Sequence, residues 1–137
     1  MKRSQLSLEL LIVLASSFSL LLALTPAYKS AGEKTRQASV DALQEKAFAE
    51  TVDLLSQAQV FGRGFETNAS VYFPTPAGFA FDNKTQSLQM HYANGGKVLS
   101  KTLGFFVSIE TIEVGKGTWQ IQVENNETIA LRLTPIT

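Results

Sequence analysis

The stretch LLIVLASSFSLLLALTPAY, residues 10–28, carries no charged side chain over 19 consecutive positions. As a helix it would measure about 28 Å, close to the hydrocarbon thickness of a bilayer. Such a helix is apolar on every side, so lipid or other helices must cover it. Ser16, Ser17 and Ser19 interrupt the run, and small hydroxyl side chains allow helices to approach closely. Because the rest of the chain is too small to cover this segment, the sequence predicts an external partner for it.

A second zone, residues 29–63, holds five basic and five acidic side chains. Its apolar residues recur at helical spacing, and the predicted buried face consists of Ala38, Leu43, Ala47, Val52, Leu55 and Ala58. Because no strong stop precedes Gly62 and Gly64, we expect one helix of more than 50 residues through both zones. Pro26 and Gly32 are the expected points of bend.

Beyond residue 63 the apolar residues recur at every second position, which is typical of strands. The runs cover residues 65–73, 79–81, 88–92, two stretches within 97–113, 119–123 and 129–133, with turn residues between them. About seven short strands at this spacing predict an antiparallel β-sandwich over residues 64–137. Most aromatic residues are expected in its core, namely Phe65, Phe73, Phe79, Phe81, Phe105, Phe106 and Trp119. The predicted fold class is therefore α+β, a long N-terminal helix followed by a small sandwich.

The composition excludes several kinds of chemistry. Twelve basic and twelve acidic residues give zero net charge, which argues against a nucleic-acid partner. Without cysteine there is no disulfide, thiol catalysis or zinc ribbon. The single histidine, His91, alternates onto the polar face of a strand, and no spacing specifies an acid pair of Asp82 with Glu110 or Glu113. We therefore expect no enzyme, no cofactor and no metal site.

The N-terminus carries the strongest functional signal. Lys2-Arg3-Ser4 is followed by Gln5-Leu6-Ser7-Leu8-Glu9, directly before the apolar run. A conventional secretory signal, with a small-residue site at residues 25–27, is one interpretation. Glu9 fits that interpretation poorly, because a carboxylate at the start of an apolar helix is costly to bury unless it is paired. Acidic residues are also favoured in the first turns of helices, so the alternative interpretation of Glu9 is the first-turn acid of an uncleaved anchor.

At these residues the chain resembles the adhesion-type archaeal type IV pilins with class III signal peptides. In that family a short basic leader precedes Q-x-S-x-E, which opens a hydrophobic helix. Gln5, Ser7 and Glu9 occupy the three fixed positions, and Ser4 stands where most members have Gly or Ala. The resemblance implies a leader, residues 1–4, and cleavage between Ser4 and Gln5 by a prepilin peptidase. It also implies a helix, residues 5–28, that first anchors the precursor in the membrane and then forms the core of a surface filament built by a pilus assembly platform.

The residues indicate how such subunits would associate. Cleavage before Gln5 creates an α-amino cation four residues from Glu9. In a helical homo-oligomer, Glu9 of one subunit can accept the amine of its neighbour, which neutralises two charges and fixes the axial register. Lateral contacts are expected from the apolar side chains of Leu10, Val13, Leu14, Phe18, Leu21 and Leu22.

Three Asn-x-Ser/Thr sequences, beginning at Asn68, Asn83 and Asn126, are candidate N-glycosylation sites. Asn83 and Asn126 lie in predicted turns, whereas Asn68 lies on the polar face of a predicted strand. The alternative function is a secreted or membrane-anchored single β-sandwich domain that binds, for example, surface glycans. In that case the apolar run is a conventional signal or an anchor.

Overall fold

The computed structural model describes the backbone of residues 2–93 and 95–136, with side chains from Leu8 onward. Within this part of the chain, one helix, α1 (Lys2–Phe61), precedes eight strands. The strands are β1 Phe65–Phe73, β2 Ala77–Asp82, β3 Ser87–Tyr92, β4 Val98–Thr102, β5 Val107–Ile109, β6 Glu113–Val114, β7 Gly117–Asn125 and β8 Ile129–Pro135. The predicted α+β class is therefore confirmed.

Helix α1 ends at the predicted stop. Gly62 adopts φ +80°, a conformation that suits glycine, and its amide donates to the Ala58 carbonyl oxygen at 3.2 Å. Pro26 lies inside the helix, which continues through it and through Gly32. The bend expected at these two residues stays a prediction.

The chain forms two compact units, residues 1–39 and 40–137. The division falls inside α1, within the segment 29–63 that the sequence marks as amphipathic. The last part of that segment therefore folds with the strands, in one unit with them.

The strands form two four-stranded sheets, in the orders β1-β7-β8-β5 and β4-β3-β2-β6. All pairs are antiparallel except β5 with β8, which run parallel with Val107 opposite Ile129. The sandwich is confirmed, but the parallel pair was not predicted. It arises because residues 97–113 hold β4, β5 and the start of β6, and the chain passes from one sheet to the other after β4. Gly104, in that link, has φ +77°.

The buried face of α1 differs in part from the predicted one. Its core residues are Gln44, Ala47, Phe48, Thr51, Val52, Leu55 and Ala58. The prediction is wrong for Leu43, which is 44% exposed, and for Ala38, which is also exposed. The face passes through Gln44 and Thr51 instead, because both polar side chains find partners. Thr51 Oγ1 donates to the Ala47 carbonyl oxygen at 2.9 Å, and Gln44 Nε2 donates to the Thr75 carbonyl oxygen at 3.4 Å.

The aromatic side chains divide between core and surface. Phe73 and Phe79 are fully buried and meet edge to face, with ring centroids 5.9 Å apart. Four others are partly buried against the core, namely Phe65, Phe81, Phe105 and Trp119. The prediction is wrong for Phe106, which remains 49% exposed because it lies just before the short edge strand β5.

Candidate functional site

The apolar segment of α1 is the first candidate site. Among the residues that the structure describes, α1 alone is long and apolar enough to cross a membrane, and the chain buries none of its 18-residue apolar window. A membrane anchor and a signal sequence both meet this criterion. The described residues of the chain thus leave this apolar segment uncovered, and the expected external partner stays a prediction.

The six predicted assembly side chains all lie on this exposed surface. Their exposed fractions range from 46% for Leu14 to 73% for Leu22, and the others are Leu10, Val13, Phe18 and Leu21. The set of assembly residues predicted from the sequence does not include Leu11, Ile12, Leu20 and Leu24, which are exposed to a comparable degree. Because apolar side chains occupy every side of the helix, contacts are available in all directions around it.

The hydroxyl groups within the segment are satisfied by the helix itself. Ser16 and Ser17 donate to the Val13 carbonyl oxygen at 2.9 and 2.8 Å, and Ser19 donates to that of Ala15 at 2.8 Å. These internal hydrogen bonds lower the cost of placing hydroxyls in lipid or among other helices. The serines are therefore compatible with a fully buried helix.

Pro26 lies near the end of the uncharged run. Proline lacks an amide hydrogen, so the helical hydrogen bond that the Leu22 carbonyl oxygen would accept is missing. The neighbouring Thr25 Oγ1 donates to the Leu21 carbonyl oxygen at 2.9 Å. The Thr25 hydroxyl is thus satisfied within the helix, as the serine hydroxyls are.

Glu9 lies on α1 immediately before the uncharged run, and its side chain is exposed. The backbone is helical from Lys2, so Gln5 and Glu9 are separated by about one helical turn, with a rise of about 6 Å. The side chains of Ser4, Gln5 and Ser7 lie outside the described part of the chain. The structure thus shows that Gln5 and Glu9 lie one turn apart on the same continuous helix.

Two of the three acidic residues weighed for catalysis in the head, Asp82 and Glu110, have structural partners. Arg132 contacts Glu110 through Nε at 2.6 Å and through Nη2 at 3.1 Å, and these hydrogen bonds hold the pKa of Glu110 below its ordinary value. Asp82 accepts hydrogen bonds from the Lys84 amide and the Thr85 hydroxyl, which likewise lower the pKa of Asp82. These carboxylates hold a strand pair and a turn in place.

His91 is exposed on β3, on the polar face that its alternation predicts. Across residues 2–93 and 95–136, no three side chains of the metal-binding types cluster as a metal site requires. All three candidate glycosylation residues are exposed: Asn68 on β1, Asn83 in the turn after β2, and Asn126 in the bend after β7. The predicted placement of each is thus confirmed, and glycosylation itself stays a prediction.

Comparisons of the chain with protein-family models, with curated proteins and with solved structures found no match.

Proposed function

We propose that the protein is a pilin, a structural subunit of a cell-surface filament. One observation carries the proposal: α1 presents an uncharged apolar segment that its own chain leaves uncovered, and a single carboxylate, Glu9, stands at its entrance. A monomeric membrane anchor needs only the apolar segment, and in it the carboxylate would do no more than complement the start of the helix macrodipole. A helical assembly needs both features.

The apolar segment would supply the non-directional part of assembly. Fully burying a leucine or phenylalanine side chain stabilises an association by about 1.5–3 kcal/mol in water. Within the membrane the precursor is stable because lipid covers the same surface. Transfer into the filament replaces lipid by identical helices, so close packing and polar pairing must then favour assembly.

Glu9 would supply the polar pairing. Cleavage between Ser4 and Gln5 leaves an α-amino cation on Gln5, at the start of a helix whose macrodipole is also positive there. Glu9 of a neighbouring subunit pairs with this amine, because each charge is costly to bury alone. The pairing also makes one axial register more favourable than the others. The precursor thus requires a prepilin peptidase and an assembly platform, and no catalytic residue of its own.

N-terminal sequencing of the protein recovered from its cells, together with electron microscopy of shed material, tests the proposal. We expect a mature N-terminus at Gln5 and filaments that contain the protein. A chain beginning near Tyr28 would instead indicate a secreted binding domain, and a retained Met1 an uncleaved anchor. Filaments formed by a chain that lacks residues 1–28 would contradict assembly through this helix.

A further inference from the structure

An open apolar groove of about 390 Å³ lies on one side of the sandwich, where β2 of one sheet approaches β5 of the other. Its walls include Phe81, Phe106 and Ile112, of which Phe106 is 49% and Ile112 is 64% exposed. The groove exists because β6 pairs only with Ala77 and Gly78. The rest of β2 therefore has no β6 residue beside it.

The groove is held open by its own contacts. The ring of Phe106 meets that of Phe81 edge to face, with centroids 5.6 Å apart. The backbone at Ile112 is held in place because its carbonyl oxygen accepts the Phe79 amide at 2.6 Å. Exposed apolar surface that is contiguous and fixed in this way is typical of binding surfaces.

Asn83 lines the rim of this groove and begins the sequence Asn83-Lys84-Thr85. The turn that carries it is tied down by Asp82, whose carboxylate accepts the Lys84 amide at 2.9 Å and the Thr85 hydroxyl at 2.8 Å. The Thr85 and Ser87 hydroxyls also lie 2.7 Å apart. A group attached to the Asn83 side chain would therefore start at the edge of the groove. The other two candidate residues, Asn68 and Asn126, are not among the groove residues.

We propose that the groove is the seat of a glycan attached to Asn83, whose first sugars lay their apolar ring faces against Phe106 and Ile112. The proposal rests on the export to the cell surface that the proposed function includes. Sugar rings are amphipathic, with C–H groups on one face and hydroxyls at the rim, so they suit an aromatic wall that is open to water. A volume of 390 Å³ is near the lower end of the range for small-molecule sites, about 300–1,000 Å³, and so suits a short saccharide.

The attachment is a transfer from a lipid-phosphate-linked oligosaccharide donor. Nδ2 of Asn83 forms a bond to the anomeric carbon of the first sugar as the bond from that carbon to the donor phosphate breaks. The amide nitrogen gives up one proton, and the lipid phosphate leaves with the electron pair. No oxidant or reductant is needed.

Peptide mass mapping and hydroxyl-radical footprinting of the full-length protein, purified in detergent from its own cells, test the proposal. Asn83→Gln and Thr85→Ala each destroy the attachment sequence by a different change, whereas Thr85→Ser keeps it. Asn68→Gln is the matched control, because Asn68 begins a sequence of the same kind on β1, at the opposite edge of the sheet from β5. Phe61, which is exposed at the end of α1, serves as the internal reference for oxidation.

We expect a glycan on Asn83 and a severalfold faster oxidation of Phe106 in Asn83→Gln and Thr85→Ala than in wild type. Thr85→Ser and Asn68→Gln should leave the Phe106 rate unchanged, and the Phe61 rate should be the same in every protein. The circular dichroism spectrum shows whether Asn83→Gln and Thr85→Ala are folded. The oxidation rates can be compared with wild type if at least one of these two variants keeps the wild-type spectrum.

An unmodified Asn83 would overturn the proposal. It would do so even if Phe106 were protected from oxidation, because a second copy of the chain would then be the occupant of the groove. Equal Phe106 oxidation with and without the glycan would overturn it as well. These results are independent of the filament. A mature N-terminus at Gln5 with an unprotected groove would refute only the glycan seat, whereas a protected groove on a chain that starts near Tyr28 would refute only the pilin.

Discussion

The side chain of Asn125 on β7 donates a hydrogen bond from Nδ2 to the carbonyl oxygen of Ala58 on α1, at 2.7 Å. Asn125 is only 9% exposed, and Ala58 is fully buried. The backbone carbonyl of Asn125 also accepts the Gly64 amide at 2.7 Å. One residue of the sheet therefore holds both the last turn of the helix and the link that leads into β1.

We predict that Asn125→Ala lowers the free energy of unfolding by about 0.5–1.5 kcal/mol, because it removes one buried hydrogen bond while the Ala58 carbonyl oxygen keeps the Gly62 amide as a donor. Chemical denaturation of the full-length protein in detergent, followed by near-UV circular dichroism, measures the change. Gln120→Ala on the exposed face of the same strand is the control, and it should alter stability by less than about 0.5 kcal/mol. Equal losses in the two variants would contradict the role of the Asn125 side chain.

The corrected buried face of α1 gives a second prediction. Leu55 is fully buried, whereas Leu43 on the same helix is 44% exposed. Leu55→Ala should lower the free energy of unfolding by about 2–5 kcal/mol, since it leaves a cavity in the core. Leu43→Ala makes the same chemical change at the surface and should cost less than about 0.5 kcal/mol. The same denaturation measurement separates them, and a larger loss for Leu43→Ala would show that the face is misassigned.

Glu9→Gln should abolish or severely reduce filaments while the head stays folded and the protein stays in the membrane fraction. The reason is that a neutral amide leaves the α-amino cation of the neighbouring subunit without a counter-charge in an apolar surrounding. Electron microscopy and sedimentation of the assembled material measure the effect.

Glu33→Gln is the matched control for Glu9→Gln, because it makes the same charge change on an exposed position of the same helix, outside the apolar run. Filaments of wild-type abundance are expected from it. Normal filaments from Glu9→Gln would rule out the pairing, and loss in both variants would point to a general effect of helix charge.

The ion pair between Glu110 and Arg132 predicts a pH dependence of stability. Arg132 holds the pKa of Glu110 below its ordinary value of 4.5, so the folded state favours the carboxylate. The resulting stabilisation is present above that ordinary value and is lost as the pH falls through the lower folded pKa. Because both side chains are partly exposed, the effect should be small.

Thermal melts of the wild type and of Glu110→Gln, from about pH 7 down to about pH 3, test this dependence. The variant should lose less stability than the wild type on acidification. Arg132→Gln should flatten the profile in the same way, and the double variant should add little to either single change. Identical acid profiles for wild type and both variants would exclude the pair as a source of pH dependence.

The sequence pattern predicted the elements of the head well, because most of its strands bury residues on one face and alternation records which face that is. In β7, Ile121 and Val123 are buried as their alternation indicates. The pattern failed at Phe106, because alternation does not reveal that an aromatic residue lies beside an edge strand. It also missed the parallel β5–β8 pair, since strand direction depends on how the chain crosses between sheets.

The candidate sites also include one feature that the sequence predicts and one that only the structure shows. The order of the residues was enough to predict the uncovered apolar segment and the position of Glu9 before it. A helix without charged side chains requires apolar surroundings on every side. The apolar groove beside Asn83 could not be read from the sequence. It depends on β6 being only two residues long and on β5 coming from the other sheet.

The long helix with one charge-free segment and the sandwich of alternating strands follow from local periodicity and charge, so both could be predicted from the residues alone. The full extent of the buried face of α1 could not. Gln44 is buried because Thr75, far away in the chain, offers its carbonyl oxygen, whereas Leu43 beside it stays 44% exposed. The tertiary structure also made Asn125 the link between helix and sheet, because its role depends on a carbonyl oxygen 67 residues away in the chain.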